Sequence, residues 1–258
     1  MKLGGFGLLK DYEKIAAAGY DFAELDVPEI EALEEREFEK LCETLRAGRI
    51  PVLTGARLFP ISEPLFFTEG FVPEKLAPYL ERACRRTKAL GIQKVILGNG
   101  KARSLLTAED RKKEEVFLQL LRMTAKIAGA NGQELILEPL GPKYSNYINT
   151  IPEAVNLIEK TGMKNIFTMA DLRHMYWSEE PFSDLIDYVF YIHHIHIDYP
   201  LSYPERNYPE SADDYDYSAF LKTLKKSGYH DTLTVEADIP TDWAEAYGKA
   251  WEVLESLL

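Results

Sequence analysis

The sequence predicts an α/β fold, a single (β/α)8 TIM barrel, and three observations lead to that class. Short apolar runs of strand length recur eight times along the 258 residues. Stretches with helical periodicity lie between these runs, and several of them end in the glycine that commonly follows a helix. Strand and helix alternate at a roughly constant spacing, which indicates parallel strands joined by helical crossovers. Eight such units in about 250 residues match the size of one barrel.

The predicted elements follow one another without a break. The strands, in chain order, lie within KLGGFGLL, DFAELDV, IPVLTGA, KVILGNG, ELILEPL, NIFTMAD, YIHHIHID and TLTVEAD, each a short apolar run. The helices lie within REFEKLCETLRAG, PYLERACRRTKALG, EEVFLQLLRMTAKIAGANG, IPEAVNLIEKTG, YSAFLKTLKKSG and DWAEAYGKAWEVLESLL. No low-complexity tract, composition change or linker rich in proline and serine interrupts them. Residues 1–258 are therefore predicted to form one domain.

A doubly wound parallel sheet is the alternative to the barrel. Such a sheet usually carries a glycine-rich phosphate-binding turn after its first strand. The first strand here continues into GGFGLLKDYEKIAAAG, which resembles the G-x-G-x-x-G pattern only loosely, because leucine and lysine occupy the region of the third glycine. We interpret these glycines as a tight strand end, which favours the barrel.

Composition and charge exclude several classes of protein. The chain is 46% hydrophobic, with a formal net charge of −12 and a pI near 5.0, which opposes attraction to nucleic-acid phosphates or anionic lipids. Cys42 and Cys84 fall in separate helical stretches, so neither a disulfide framework nor a thiolate metal site is indicated. The N-terminus lacks a cleavage pattern, and no segment reaches about 18 uninterrupted apolar residues. We expect a soluble, unprocessed, cytoplasmic protein that binds neither nucleic acid nor membrane.

Polar side chains close four consecutive predicted strands. Glu138, Asp171, His196 and Glu236 end strands 5, 6, 7 and 8 respectively. Each residue alone has an ordinary structural explanation, since a carboxylate after a strand often caps the next helix and a lone histidine is often a hydrogen-bonded structural residue. Together they converge on the face of a barrel where chemistry takes place. Three carboxylates and one imidazole suit a divalent ion such as Mn²⁺ or Mg²⁺, and Co²⁺ or Zn²⁺ also fit.

The remaining histidines receive different expected roles. Side chains alternate along a strand, so His194 shares the inner face with His196 one layer deeper, whereas His193 is expected to point toward the helices and pack there. His230 is expected on the surface. His174 follows Asp171 by three residues, at the rim of the barrel, where it is expected to touch substrate or, alternatively, to serve a structural role.

These motifs together resemble the xylose isomerase-like superfamily, specifically the sugar isomerase/epimerase group that includes the ketose 3-epimerases. The resemblance covers residues from about 20 to the C-terminus and rests on LILEPL, MADLRH, IHIDYP and TVEAD, with support from GARLFP, VILGNGKARS and LEPLGPKYSNYINT. It implies one divalent metal, often Mn²⁺, held by Glu138, Asp171, His196 and Glu236. It further implies that Glu138 and Glu236 move the proton from opposite faces of the substrate carbon and that His174 touches substrate. Family members often form homo-oligomers.

The chain also departs from the family pattern after strand 7. The family usually has a P-G-x-G turn there, whereas residues 198–217 contain no glycine and form the longest irregular segment. A substrate-contacting arginine of some epimerases falls six residues after the strand-7 histidine, at Ser202, while Arg206 lies nearby but out of register. We include Arg206 among the expected substrate contacts, together with Arg103 and Glu24.

The substrate class remains open between several sugars. Deprotonation beside a carbonyl gives an enediolate, whose charge a divalent ion offsets, and the same ligands serve epimerisation or aldose–ketose isomerisation. The acidic strand-7 loop favours an unphosphorylated polyol, although Arg57, Lys101 and Arg103 could instead clamp an anion or be ordinary loop charges. The mouth aromatics could exclude water, pack on a partner subunit or pack in loops; they are Phe59, Phe66, Phe67, Tyr199, Tyr203 and Tyr208.

Four other functions compete with sugar isomerisation. A keto-inositol dehydratase or a keto-glycoside lyase would use the same metal and bases. A sugar-binding barrel without turnover would keep the ligands but not exchange substrate hydrogen. Endonuclease IV shares the barrel, but its zinc cluster needs histidines at the ends of strands 2, 3 and 4, where this chain has Glu24 and no histidine.

Overall fold

Eight parallel strands form a closed barrel in chain order, with the last strand paired to the first. The computed structural model describes residues 1–61 and 64–255. The strands are β1 (Lys2–Gly7), β2 (Phe22–Asp26), β3 (Val52–Ala56), β4 (Lys94–Leu97), β5 (Glu134–Leu137), β6 (Ile166–Asp171), β7 (Ile192–Ile197) and β8 (Thr232–Val235). This confirms the predicted (β/α)8 barrel and each of its eight strands.

Helices connect the strands and surround the barrel. They are α1 (Tyr12–Ala18), α2 (Val27–Ala32), α3 (Glu35–Ala47), α4 (Ala77–Ala89), α5 (Gly100–Arg103), α6 (Glu114–Ala130), α7 (Ile151–Thr161), α8 (Leu172–Trp177), α9 (Asp184–Asp187), α10 (Ser218–Ser227) and α11 (Trp243–Leu254). Short 3-10 turns occupy Leu9–Asp11, Pro73–Leu76 and Ala108–Lys113. The longer helices, which connect consecutive strands, are amphipathic. Their apolar faces pack against the strands and form one large core with them.

Local signals fix where several helices begin and end. The side chain of Thr150 accepts a hydrogen bond from the Glu153 amide at the start of α7, and Gly162 ends that helix in the left-handed region, at φ 68°. Asp242 caps α11 through the amides of residues 244 and 245. Such caps satisfy amides that the helix leaves without partners, so each crossover returns the chain to the sheet at a defined residue.

The barrel interior is polar near the amino ends of the strands, where the Lys94 ammonium donates to Asp231 and Thr232, and apolar above this layer. Ile96, Ile136 and Met169 form a small cluster of their own inside the barrel, separate from the core between strands and helices. Polar side chains lie on the same inward faces closer to the carboxyl ends of the strands, which places the ionisable groups at one mouth of the barrel.

The placement of His193 corrects the expectation from strand alternation. The register between β6 and β7 shifts between Thr168 and Met169, so that Thr168 pairs with Ile192 but Met169 pairs with His194. The ring of His193 stacks on Phe167 at 3.5 Å between centroids, and Phe167 packs against the interior cluster. The irregularity thus turns His193 toward the barrel instead of toward the helices.

The structure also confirms the expected placements of His194 and His230. Cys42 and Cys84 are buried and free, His230 is exposed, and His194 lies inside the barrel with no exposed surface. Among the described residues, no helix combines the length and the apolarity needed to cross a bilayer.

Candidate metal centre

Four strands deliver the four expected ligands to one point at the barrel mouth. Glu138 and Glu236 directly follow β5 and β8, Asp171 ends β6, and His196 lies near the end of β7. One oxygen of each carboxylate and one nitrogen of the imidazole all lie within 4.8 Å of one another. The structure therefore brings the whole set together.

The distances within this set suit a single divalent ion. His196 Nδ1 lies 3.1 Å from Glu236 Oε2, 3.7 Å from Glu138 Oε1 and 3.8 Å from Asp171 Oδ2. Ligand atoms about 2.1 Å from one ion lie about 3.0–3.5 Å from each other, close to these spacings. His196 Nδ1 is buried and has no hydrogen-bond partner among the described residues. A buried, unsatisfied nitrogen facing three carboxylates is the environment expected of a metal ligand.

Asp171 serves two purposes at the end of β6. Its Oδ1 atom accepts a hydrogen bond from the His174 amide at 3.1 Å and so caps α8. Its Oδ2 atom faces the ligand cluster. The capping interpretation and the ligand interpretation of this residue are therefore compatible.

A fully buried carboxylate on β2 supports His196 from behind. Glu24 Oε1 accepts a hydrogen bond from His196 Nε2 at 2.9 Å. Its Oε2 accepts hydrogen bonds from the hydroxyls of Thr54 at 2.6 Å and Thr234 at 3.1 Å, and His194 Nε2 lies 2.9 Å from the same oxygen. Burial opposes ionisation, but the two histidines outweigh it and lower the pKa of Glu24 well below its usual range.

This arrangement determines which nitrogen of His196 carries a proton. An ionised carboxylate only accepts hydrogen bonds, so Glu24 requires a proton on His196 Nε2. A neutral imidazole then keeps the lone pair on Nδ1, which faces the three carboxylates. A carboxylate behind a ligating histidine is the usual way in which proteins orient such a ligand.

His194 completes the polar layer below the mouth. Lys94 Nζ donates to Thr232 Oγ1 at 3.0 Å, and this hydroxyl lies 2.8 Å from His194 Nδ1. Because the ionised Glu24 beside Nε2 has no proton to give, the single proton of a neutral His194 is best placed on Nε2, and the Thr232 hydroxyl then donates to Nδ1. Burial lowers the pKa of His194 to about 4, which keeps the ring neutral. Glu24, His194 and His196 also lie close enough together to be a metal triad, but Glu24 already accepts hydrogen bonds from His196, Thr54 and Thr234.

The charges of the cluster act on each other strongly. Burial raises the pKa of Glu138. Burial also opposes ionisation of Glu236, but Arg206 and His196 outweigh it and lower the pKa of that glutamate. For His196, burial disfavours the charged form, yet Glu24 and Glu236 raise its pKa well above the usual value. The positive charges of Arg206 and His196 thus offset part of the negative charge of the carboxylates.

Arg206 reaches the cluster despite its unexpected position in the sequence. Its Nη2 atom donates to Asp171 Oδ2 at 2.9 Å, its Nε donates to Asp198 Oδ2 at 2.7 Å, and its Nη1 pairs with Glu236. Ser202, where the resemblance to some epimerases would place an arginine, instead accepts a hydrogen bond from Arg173 at 2.8 Å. The strand-7 loop therefore delivers an arginine to the mouth by a different route.

A cavity of about 350 Å³ lies over the cluster. His174 lies at its wall, with Nε2 3.7 Å from both Glu138 Oε1 and Asp171 Oδ2. Burial lowers the pKa of His174 to about 4, and Tyr144 packs edge-on against its ring. The cavity lining is Ala56, Arg57, Ile61, Ile96, Gly98, Asn99, Gly100, Lys101, Glu138, Leu140, Lys143, Tyr144, His174, His196, Arg206 and Glu236.

Two expected substrate contacts lie elsewhere in the structure. Glu24 has no exposed surface because it lies beneath His196. Arg103 is also fully buried, and it donates to the carbonyls of Leu97 and Ile148. Neither side chain borders the cavity, so the expected direct contacts with substrate are corrected to structural and supporting positions.

The mouth aromatics divide between the core and the rim. Phe59, Phe66 and Phe67 are buried in the main core, which agrees with loop packing. Tyr203 is exposed and lies near Lys143, whose ammonium lies 4.4 Å from its ring centroid.

The sequence did not single out several residues that shape the site. Tyr144 borders the cavity, and Asp198 is buried between the guanidinium groups of Arg173 and Arg206. Asp198 directly follows the apolar run of β7, and this position is the sequence feature that could have indicated a role at the site. No sequence feature indicates a role at the site for Thr54 or Thr234, because a threonine inside a strand is ordinary.

Comparison with known proteins identifies the fold family and similar structures. The family model described as xylose isomerase-like TIM barrel matches residues 12–257. A D-allulose 3-epimerase from Methylomonas sp., solved with D-allulose, is similar at a TM-score of 0.82 and 17% identity, over 100% of this chain and 97% of that chain. The 3-keto-D-glucoside 4-epimerase YcjR from E. coli is similar at 0.80 and 19%, over 99% of both chains.

A third similar structure contains a metal. The IOLI protein with a bound zinc atom has a TM-score of 0.79 and 20% identity, over 100% of this chain and 98% of that chain. At these identities the structural likeness establishes the fold. No curated protein matches the sequence.

Proposed function

Because the chain belongs to the xylose isomerase-like TIM barrel family, we propose that it is a divalent-metal-dependent sugar epimerase or isomerase. The observation that carries the proposal is the convergence of Glu138, Asp171, His196 and Glu236 within 4.8 Å at the barrel mouth. The similar structures support it, since two of them are sugar epimerases and a third holds zinc. The donor set fits Mn²⁺ first and also Mg²⁺, Co²⁺ or Zn²⁺.

The bound ion would supply charge stabilisation to oxygen beside the reacting carbon. Glu138 and Glu236 both border the cavity over the cluster. One carboxylate removes a proton from the carbon next to a carbonyl, and the other returns a proton. Return to the opposite face of the same carbon inverts it, whereas return to the neighbouring carbon exchanges aldose and ketose.

Other side chains hold the two glutamates and the substrate in place. Arg206 pairs with Glu236 and holds its carboxylate at the cavity wall. His174 is neutral near pH 7, since burial lowers its pKa to about 4, so it can exchange hydrogen bonds with a sugar hydroxyl without adding charge. Its role as a substrate contact remains a prediction, as does that of Arg206.

Hydrogen exchange in heavy water tests the proposed function. A panel of free ketoses is incubated with the protein and Mn²⁺, the ion and protein are removed, and proton NMR follows. Deuterium at C3 indicates a 3-epimerase, and deuterium at C1 or C2 indicates an isomerase. Loss of a substituent next to the exchanging carbon would indicate the dehydratase or lyase instead. No exchange in any ketose or keto sugar, with metal bound, would contradict the proposal.

A pair of matched variants identifies the residue responsible. Glu236→Gln keeps the side-chain shape but removes the base, so we expect exchange to fall about 100- to 10,000-fold with unchanged circular dichroism. Glu205→Gln makes the same chemical change at an exposed position of the strand-7 loop and should keep full exchange. Equal activity of both variants would remove Glu236 from the proposed role.

A further inference from the structure

A second pocket, here called the second lobe, shares part of its lining with the cavity over the candidate metal centre. The first lobe is the cavity of about 350 Å³ described above, and the second has a volume of about 300 Å³. Ala56, Arg57, Arg206 and Glu236 border both. The residues that border only the second lobe are Phe6, Leu8, Ala237, Asp238 and Ile239. A ligand that binds at Glu236 therefore has room to extend in two directions.

The polar groups of the second lobe are largely occupied by the protein itself. Asp238 Oδ2 accepts a hydrogen bond from the Arg206 amide at 2.9 Å. The Arg206 guanidinium is bound by three carboxylates, and Arg57 Nε donates to Asp26 at 2.7 Å. The carbon surface of the second lobe comes from Phe6, Leu8, Ala237 and Ile239, and Arg57 also borders it.

The first lobe is bordered by more hydrogen-bonding side chains than the second. It contains the ligand cluster, the His174 imidazole, the Tyr144 side chain and two lysines, Lys101 and Lys143. His174 Nδ1 is buried and has no hydrogen-bond partner among the residues described. A sugar hydroxyl loses free energy when it is buried without a partner, so the larger set of hydrogen-bonding side chains in the first lobe is the better match for a polyol.

We propose that the substrate is a sugar ketone with an apolar or aromatic substituent, such as an aryl glycoside. This inference rests on the proposed function. The sugar occupies the first lobe beside the ligand cluster, and the substituent occupies the second, between Ile239 and the side chains of Phe6 and Leu8. A planar ring gains contact with the Arg57 guanidinium as well. Ile239, which is 41% exposed, is covered when the substituent binds.

The experiment compares two substrates that differ only in the substituent. Methyl and phenyl 3-keto-glucopyranosides are assayed with the Mn²⁺-loaded protein for deuterium exchange and for release of the aglycone. We expect kcat/KM to be about tenfold or more higher for the phenyl compound, because its ring buries apolar surface that the methyl group does not. Equal values for the two glycosides would overturn the second-lobe assignment while leaving the proposed function intact.

Matched variants locate the effect in the second lobe. Ile239→Ser removes apolar surface there and should lower kcat/KM for the phenyl compound about tenfold, which erases the preference for phenyl. Ile61→Ser makes the same change at an exposed isoleucine of the first lobe and should leave the preference in place. If Ile61→Ser erased it and Ile239→Ser did not, the substituent would lie in the first lobe and the assignment would be wrong.

A binding measurement separates this inference from the reaction. In saturation-transfer NMR with phenyl glucopyranoside, the phenyl protons should receive magnetisation from wild type and Ile61→Ser, and about tenfold less from Ile239→Ser. Absence of exchange on every substrate, with this binding pattern preserved, would contradict the proposed function alone. Equal transfer in all three proteins would contradict the second lobe alone.

Discussion

Replacing Glu24 by Gln should weaken metal binding about 10- to 100-fold, although Glu24 is not expected to touch the metal. Glu24 accepts hydrogen bonds from His196, Thr54 and Thr234, and all of these partners donate. A glutamine has one oxygen and one amide nitrogen in place of the two oxygens. Its oxygen is best placed on the side where Thr54 and Thr234 donate, which leaves its NH₂ facing His196 Nε2.

The substitution by glutamine reverses the hydrogen bond between residue 24 and His196 Nε2. An NH₂ group donates, so His196 Nε2 becomes the acceptor and the imidazole proton moves to Nδ1, toward Glu138, Asp171 and Glu236. The metal must then displace that proton or turn the ring. Changes to the partner of a ligating histidine typically cost 10- to 100-fold in metal affinity, which corresponds to about 1.4–2.7 kcal/mol.

The affinity is measured as free Mn²⁺ by electron paramagnetic resonance, at pH 7.5 and with circular dichroism to establish folding. Thr234→Val is the matched control, since it removes one donor to Glu24 and leaves the His196 hydrogen bond in place. It should cost about 1 kcal/mol of stability and change Mn²⁺ affinity less than about threefold. Wild-type affinity in a folded Glu24→Gln protein would refute this account of His196.

Two further predictions concern residues near the site and remote from it. Gly98→Ala places a methyl group 1.7 Å from Glu138 Oε2, so the carboxylate must move. Hydrogen exchange on the substrate should therefore fall about 100-fold, with unchanged circular dichroism. Full activity would show that Glu138 has room to shift. Burial raises the pKa of Glu180 to about 8, so the protonated form stabilises the fold below pH 4.5 and this contribution is lost as pH rises through 8. Between pH 5 and 9 the unfolding free energy in urea should fall by about 2–4 kcal/mol more in wild type than in Glu180→Gln, and parallel profiles would contradict the assignment.

The fold and the convergence of the four candidate ligands could be predicted because both depend on short-range sequence order. Glu138, Asp171, His196 and Glu236 each close an apolar run, and the carboxyl ends of parallel strands meet at one mouth of a barrel. The position of each residue along its own strand was therefore sufficient. The longer helices were predicted for the same reason, whereas α5, α8 and α9 span only four to six residues and are too short to show a period.

The remaining site residues depend on how strands and loops meet in space. Glu24 lies near the end of β2, but the register of the barrel places it beneath His196. The irregular register between β6 and β7 turns His193 inward. Arg103 follows β4 as a mouth residue would, yet its guanidinium is used on backbone carbonyls. Arg206 reaches the cluster from an irregular loop, for which sequence gives no periodicity.

A crystal structure grown with Mn²⁺, with anomalous diffraction measured at the manganese edge, tests the central claim most directly. We expect one strong peak within about 2.0–2.3 Å of Glu138, Asp171, Glu236 and the Nδ1 atom of His196. A peak between Glu24 and His194, or no peak at the barrel mouth at saturating Mn²⁺, would contradict the account.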